Sequence, residues 1–390
     1  MKKTIYLDNA ATTPVRKEVK KEMDKYFSKE FGNPGSFNTL GLNASQSLSK
    51  ARKKIAKIIN AEPSEIIFTG SGTESINLAI KGICRKKGKH IITSSVEHHA
   101  VLHTCKALEK EGFDVTYLDV DKYGLVDPKE IEKNIRKDTI LVSIIYANNE
   151  IGTIQPIHEI SKITKKHGIL FHTDACQAAS LNVDVKKLGV DLLSFNGSKI
   201  YAPKGVGMLF VKKRTQIKPI IHGGSQEFGL RAGTENVPYI VGFAKALELA
   251  QKEKYKENRR LEKLRNKLIK GILKTIPKTF LNGHPVKRLP NSANITFLDI
   301  EGEALILYLN EHGIQVSTGS ACTSHKLAPS HVILATGLPY EAAHGSVRFS
   351  LGKDTTEKDV DYVLKVLPGL VKKIRKISPV HLEEKEVLKR

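Results

Sequence analysis

Short apolar runs rich in β-branched residues alternate, over much of the chain, with segments whose apolar positions fall three and four apart. The first kind predicts buried strands over Ile66–Phe68, His90–Thr93, Val115–Leu118, Thr139–Tyr146, Ile169–Thr173, Asp191–Phe195 and Gly207–Val211. The second predicts helices over Ala51–Ile59, Glu74–Ile83, Ala100–Glu111, Pro128–Arg136 and Ile157–His167. Strand–helix alternation of this sort implies an α/β fold with a mostly parallel central sheet covered on both faces. Pro238 then reads as an early-turn residue of a long helix through Gln251–Lys270. Its highly charged second half fits a solvated bridge between domains and, equally, a plain surface helix. After it the pattern changes to a strand at Asn294–Leu298, a helix at Glu303–Glu311, a strand at Val347–Leu351 and a helix near Asp359–Lys376. That half reads as a smaller α+β domain. The expected division is a large domain over 16–257 and a small one over 1–15 with 258–390. No internal repeat or low-complexity linker interrupts it.

The length of 390 residues agrees with two domains, since it exceeds what one simple core fills. Hydrophobic residues at 40% and charged residues at 27% exclude general disorder and a fibrous chain. No apolar run approaches the ~18 residues a membrane helix needs. The basic start, MKKTIYLDNAATTP, lacks the apolar stretch of a secretory signal. The cysteines at 84, 105, 176 and 322 form no CxxC pair or zinc spacing, so a reduced, cytoplasmic setting is expected. The net charge of +22 comes from lysines spread along the whole chain, with no accompanying RNP, helix-turn-helix or aromatic–basic motif. Solvated helix faces explain it better than direct nucleic-acid binding.

Four segments carry candidate chemistry. Thr69-Gly-Ser-Gly-Thr-Glu74 sits between an apolar run and a helical pattern, where free backbone N–H groups and the helix dipole favour a phosphate. It matches neither the Walker A pattern nor GxGxxG, and taken alone such a string is more often a capped turn. Asp174 ends the strand pattern ILFHTDA, at the carboxyl edge where open α/β sheets bind ligands. Lys199 follows DLLSF and a small polar turn; a lysine desolvated at a strand end is a candidate Schiff-base nucleophile. A phosphate cradle, a carboxylate and a reactive lysine together are what pyridoxal phosphate requires. Cys322 lies in STGSACTS, whose small polar flanks predict a loop rather than a core strand. Cys84 and Cys105, in helical patterns, read as packed thiols.

With these residues in register the sequence resembles the group I cysteine desulfurases of the NifS/IscS type, within the fold-type I pyridoxal-phosphate enzymes. The resemblance runs nearly end to end, through YLDNAATTP, FGNP at 31–34, GSGTESINLAI at 70–80, VEHHAVL at 96–102, ANNEIGTIQPI at 147–157, HTDACQA at 172–178, SKIYAPKG at 198–205, RAGTEN at 231–236 and GSACTS at 319–324. It implies that the large domain binds the cofactor and that the small one carries the cysteine loop. Residue by residue, it makes Lys199 the Schiff-base lysine, Asp174 the partner of the pyridine nitrogen and Gln177 the donor to the phenolic oxygen. His98 becomes the imidazole stacked on the ring and a catalytic residue. Gly72 and Thr73 become the phosphate cradle, with Asn196 and Ser198 beside it and Thr234 reaching in from the second subunit of a homodimer. Asn149 and Arg348 become the groups for the substrate carboxylate. Cys322 becomes the nucleophile that takes sulfur from L-cysteine, leaving L-alanine.

The implied partners are an iron–sulfur scaffold protein and tRNA-thiolation sulfur acceptors, with no membrane. No resident metal is implied, although Cys322 could ligate a cluster transiently with a scaffold partner. Three positions depart from the family pattern: Ser198 and Asn38 stand where histidine is usual, and Asn196 where serine is usual. They bear on cofactor affinity more than on reaction type. The competing readings are a non-catalytic scaffold-binding protein, an aminotransferase and a selenocysteine lyase.

Overall fold

A computed structural model describes residues 4–83, 88–319 and 328–387. Its centre is a seven-stranded sheet in the spatial order Ile66–Thr69, Gly207–Val211, Leu192–Asn196, Leu170–Asp174, Thr139–Ser143, His90–Ser94, Asp114–Leu118. Five of these strands form a continuous parallel ladder, and Gly207–Val211 runs antiparallel to both of its neighbours. The mostly parallel α/β arrangement that the alternation predicts is therefore present. Strands buried on both faces read as unbroken apolar runs, which is why each was visible. Two histidines interrupt this pattern without disturbing it. His172 is fully buried, its ring nitrogens bonded to the Ser143 and Ser194 hydroxyls at 2.8 and 3.0 Å. Burial pushes its pKa down to about 4, so the ring is neutral.

A second, four-stranded antiparallel sheet has the order Ser317–Thr318, Ser346–Ser350, Ser292–Phe297, Thr279–Asn282. The N-terminal strand Ile5–Tyr6 pairs in parallel with Ile314–Gln315 beside it. The two sheets have separate apolar cores, one containing Phe68, Phe171 and Phe195 and the other Phe297, Phe349 and Leu367.

One helix, Val237–Thr275, serves both cores. Pro238 lies in its first turn, and Asn236 caps it by accepting the Tyr239 N–H at 3.3 Å. Its buried positions run from Val237 to Leu247, stop, and resume at Leu261. The charged stretch between them is tied down by ions rather than by apolar packing. Glu253 pairs with Arg16 at 2.8 Å, and Arg260 donates to the carbonyls of Thr355 and Gly352 at 2.6 and 3.0 Å. Of the two readings of that stretch, a bridge between cores is the one observed.

Helices at Lys17–Ser28 and over the first half of Thr39–Ile59 were not signalled by apolar spacing. The latter begins in a Gly-, Asn- and Ser-rich run of poor intrinsic propensity, and Asn38 starts it by accepting the Gly41 N–H at 2.9 Å. The strand expected over Thr139–Tyr146 ends at Ser143, although Ile144 and Tyr146 still donate to the His172 and Asp174 carbonyls. No helix among the described residues is long and apolar enough to cross a membrane.

Candidate active site

The carboxyl ends of the parallel strands lie along one edge of the large sheet. Asp174 closes its strand there and Asn196 the next one. The turn after Asn196 is a single 3-10 turn, Gly197–Lys199, with Asn196 Oδ1 accepting the Ser198 N–H at 3.2 Å. That turn delivers Lys199 to the same edge. On the far side of the antiparallel strand, Thr69 leads into the helix Gly72–Ile83. Ser71 satisfies the Glu74 N–H with its hydroxyl and the Ser75 N–H with its carbonyl. Gly72 and Thr73, at the first two helical positions, have no intrahelical acceptor for their N–H groups.

These elements enclose a cavity lined by Gly72, Thr73, His98, Asn149, Asp174, Gln177, Asn196, Lys199 and Arg348. Nine of the residues singled out in the sequence thus meet in one place. Ser198 does not line it; its carbonyl instead accepts the Thr13 N–H at 2.9 Å. Thr234 is exposed and away from this cavity within one chain. Cys322 lies outside the described residues.

The N-terminal segment crosses the cavity wall. Lys199 Nζ donates to the Ala11 carbonyl, and Gln177 Nε2 to the Ala10 carbonyl at 2.9 Å. Arg348 is 1% exposed and held on two sides. Its Nη2 pairs with Asp8 Oδ1 at 2.8 Å and its Nη1 donates to the Asn149 carbonyl at 2.9 Å, while Nε is buried without a partner. Such a fixed guanidinium suits a carboxylate ligand. His98 begins the helix His99–Glu109, its Nδ1 accepting the Ala100 N–H at 3.0 Å. It is therefore a helix cap as well as part of the cavity, and in the neutral ring the proton sits on Nε2.

Asp174 is 4% exposed, and its Oδ1 accepts the Cys176 N–H at 2.9 Å. No ion pair engages it among the described residues. Burial, then the neighbouring Asp174, raises the Cys176 thiol well above its usual range. Cys176 is thus a packed thiol rather than a ready nucleophile. Cys105 is fully buried.

The donor set fits pyridoxal phosphate. A Cβ at Gly72 would lie 2.6 Å from Cys176 Sγ and 3.1 Å from Asn196 Cβ, so only glycine leaves the helix start open at that wall. A buried carboxylate and an amine from adjacent strand ends complete what the ring nitrogen and the aldehyde require.

Three acids that adjoin site residues without lining the cavity escaped the sequence reading: Asp8, which pairs with Arg348, Glu97, which precedes His98, and Glu150, which follows Asn149. Each sits inside a motif quoted for other residues.

This chain belongs to the class-V aminotransferase family, whose profile matches residues 5–363. Within that class its relatives are cysteine desulfurases. It is 57% identical to cysteine desulfurase IscS of Methanosarcina thermophila, over 99% of this chain and 96% of that protein. Among solved structures it matches a NifS-like protein with a TM-score of 0.88 at 41% identity, covering 96% of this chain and 99% of that one. It also matches SspA in complex with cysteine, with a TM-score of 0.77 at 38% identity, over 89% and 99% of the two chains.

Proposed function

We infer that this chain is a pyridoxal-phosphate-dependent cysteine desulfurase that converts L-cysteine to L-alanine and carries the sulfur away as a persulfide on Cys322. The observation that carries the reading is the convergence of Lys199, Asp174, Gln177, His98, Asn149 and Arg348 on one cavity beside a helix start.

When bound, the cofactor supplies an electron sink for the bond broken at the substrate's Cα. The chain's own residues do the rest. Gly72 and Thr73 would hold the phosphate through backbone N–H groups, and Thr234 of a second subunit would complete that site in a homodimer. Asp174 would keep the pyridine nitrogen protonated. Arg348 and Asn149 fix the substrate carboxylate, which orients the Cα–H bond. The Lys199 amine would take the Cα proton. His98, anchored through Nδ1, would stack on the ring and offer its Nε2 for proton exchange. The Cys322 thiolate attacks the sulfur of L-cysteine and the carbon–sulfur bond breaks toward carbon. The net change is L-cysteine plus Cys322 thiol to L-alanine plus Cys322 persulfide.

The setting we propose is cytoplasmic, with iron–sulfur scaffold proteins or tRNA-thiolation enzymes as acceptors. We also propose the division of the chain at 257/258, within the stretch of the long helix that lies between its two runs of buried residues. The test is a visible spectrum of the purified protein before and after L-cysteine, with mass spectrometry of the Cys322 peptide. A cofactor band that shifts, and an added sulfur on that peptide, support the reading. An unchanged spectrum, or sulfur on Cys176, overturns it.

A further inference from the structure

Glu150 is 1% exposed and adjoins Asn149, whose carbonyl holds Arg348. Its backbone is fixed on both sides. The Glu150 N–H donates to Asn148 Oδ1 at 2.9 Å, and its carbonyl accepts Asn294 Nδ2 at 3.2 Å. Asn148 in turn donates to the Val96 carbonyl at 2.8 Å. The side chain therefore leaves a rigid part of the site wall, yet it points away from the cavity-lining set.

What it meets is the other unit. Glu150 Oε2 accepts the Ser330 hydroxyl at 2.5 Å. A Cβ added at Gly319 would lie 2.8 Å from that same oxygen and 3.2 Å from Ser330 Cβ. Ser330 is thus bonded to that oxygen and Gly319 has no room for a side chain beside it, and Cys322 lies between the two in sequence. Ser330 also caps the helix His331–Ala335, accepting the Val332 and Ile333 N–H groups at 3.1 and 3.3 Å. The next residue adds a second tie, His331 Nε2 donating to the Glu97 carbonyl at 3.0 Å.

We propose that Glu150 is a positioning residue that ties Ser330, on one flank of the Cys322 segment, to the substrate-binding wall, with Gly319 on the other flank packed close to it, and so sets where the sulfur-accepting thiol meets the substrate. The inference rests on the reading of Cys322 as sulfur carrier. The physical basis is a short hydroxyl–carboxyl hydrogen bond made at a fully buried side chain. Glutamine keeps an acceptor oxygen at the same reach. Aspartate is one methylene short, and alanine removes the group. Ser330→Ala deletes the same bond from the other side, and Gly319→Ala drives a methyl against Oε2.

The experiment uses the cofactor-loaded protein and three readouts: the spectral titration with L-cysteine, the rate of persulfide formation on the Cys322 peptide, and the rate at which iodoacetamide alkylates Cys322. Glu150→Ala should slow persulfide formation about tenfold and change the alkylation rate severalfold, with the spectral affinity for L-cysteine and the melting temperature nearly unchanged. Glu150→Gln should restore the rate to within about threefold, and Glu150→Asp should not. Adding Ser330→Ala to Glu150→Ala should slow persulfide formation no further, because the two share one interaction, although the lost helix cap lowers the melting temperature. A persulfide rate for Glu150→Ala within twofold of the unaltered protein overturns the proposal, provided Cys322→Ser is inactive. Loss of the spectral shift along with the persulfide also overturns it, since that marks a structural role. If Cys322→Ser still produces alanine at the normal rate, the sulfur-carrier reading falls and this one with it.

Discussion

The carboxyl edge of the large sheet and the two flanks of the Cys322 segment, at Gly319 and Ser330, are held by different means. At the sheet edge each chemical group leaves the backbone at a strand end or one turn beyond it, as Asp174, Asn196 and Lys199 do. Ladder hydrogen bonds fix those positions before any side chain makes a contact. At the flanks, the short strand Ser317–Thr318 stands on one side, and on the other Ser330 and His331 are held by side-chain bonds to the Glu150 carboxyl and the Glu97 carbonyl. The contrast matches two demands of the proposed reaction. Proton transfer at Cα needs groups held within a fraction of an ångström. Sulfur delivery needs a thiol that approaches the substrate and then meets an acceptor, which suits an attachment made of separable contacts.

The sharpest way to break this contrast is to remove one chemical group from each region. Lys199→Ala should lower alanine formation about a thousandfold or more, the loss expected for a residue that is both nucleophile and base. Borohydride reduction and peptide mapping of the unaltered protein should find the pyridoxyl group on Lys199. A label on Lys204 would refute the assignment. Cys322→Ser should lose turnover comparably, because a hydroxyl is far less ionised and a poorer nucleophile toward sulfur. Yet it should keep both the bound cofactor and the spectral response to L-cysteine. Cys105→Ser, at a buried position that does not line the cavity, should be nearly silent.

Arg348→Ala comes next. Deleting a charge-assisted carboxylate contact costs ~2–4 kcal/mol, a factor of ~30 to 1,000 in the KM for L-cysteine. The side chain is also among the largest fully buried ones, and its loss strands Asp8 and the Asn149 carbonyl. The informative comparison is therefore Asp8→Asn, which keeps the guanidinium and weakens only its anchor. KM should rise severalfold there, well short of the alanine variant. Equal effects from the two would mean that Arg348 acts through the fold and not through the substrate.

How far each region was legible follows from the same contrast. Strands buried on both faces produce apolar runs, and the residue ending each run must lie at the sheet edge, so Asp174 and Lys199 could be located from patterning alone. The cradle before Gly72 was visible because strand, glycine and helix follow one another along the chain. Glu150 and Glu97 were not, because their partners, Ser330 and the Ile145 N–H, are remote in sequence or depend on strand register. Asp8 needed the pairing of Ile5–Tyr6 with Ile314–Gln315, a contact across nearly the whole chain. The departures at Asn38 and Asn196 acquire a local reason only in the structure, where both side chains cap helical turns.

The smallest expected effect on activity, and a test of how closed the sheet edge is, comes from Glu97. Its carboxyl is wholly buried; Oε1 accepts the Ser94 hydroxyl at 2.6 Å and the Ile145 N–H at 2.9 Å, and Oε2 has no partner. Burial is the largest influence and raises its pKa to about 8, against two hydrogen bonds that lower it and Asp174, which adds to the rise. At neutral pH the group is therefore an uncharged acid beside the Asp174 carboxylate. Because the folded pKa lies above the unfolded one, the folded state holds the extra proton between about pH 4.5 and 8. Stability from this group is complete below that window and is lost as pH rises through it, with a slope of at most ~1.4 kcal/mol per pH unit. Glutamine mimics the protonated acid and cannot titrate. Melting temperatures of Glu97→Gln and the unaltered protein should diverge steadily from pH 5 to 8 in favour of the variant, then run parallel at higher pH. Turnover near pH 7 should stay within about threefold. Parallel curves across the whole range would mean that Glu97 is ionised in the fold, and that water reaches behind the sheet edge.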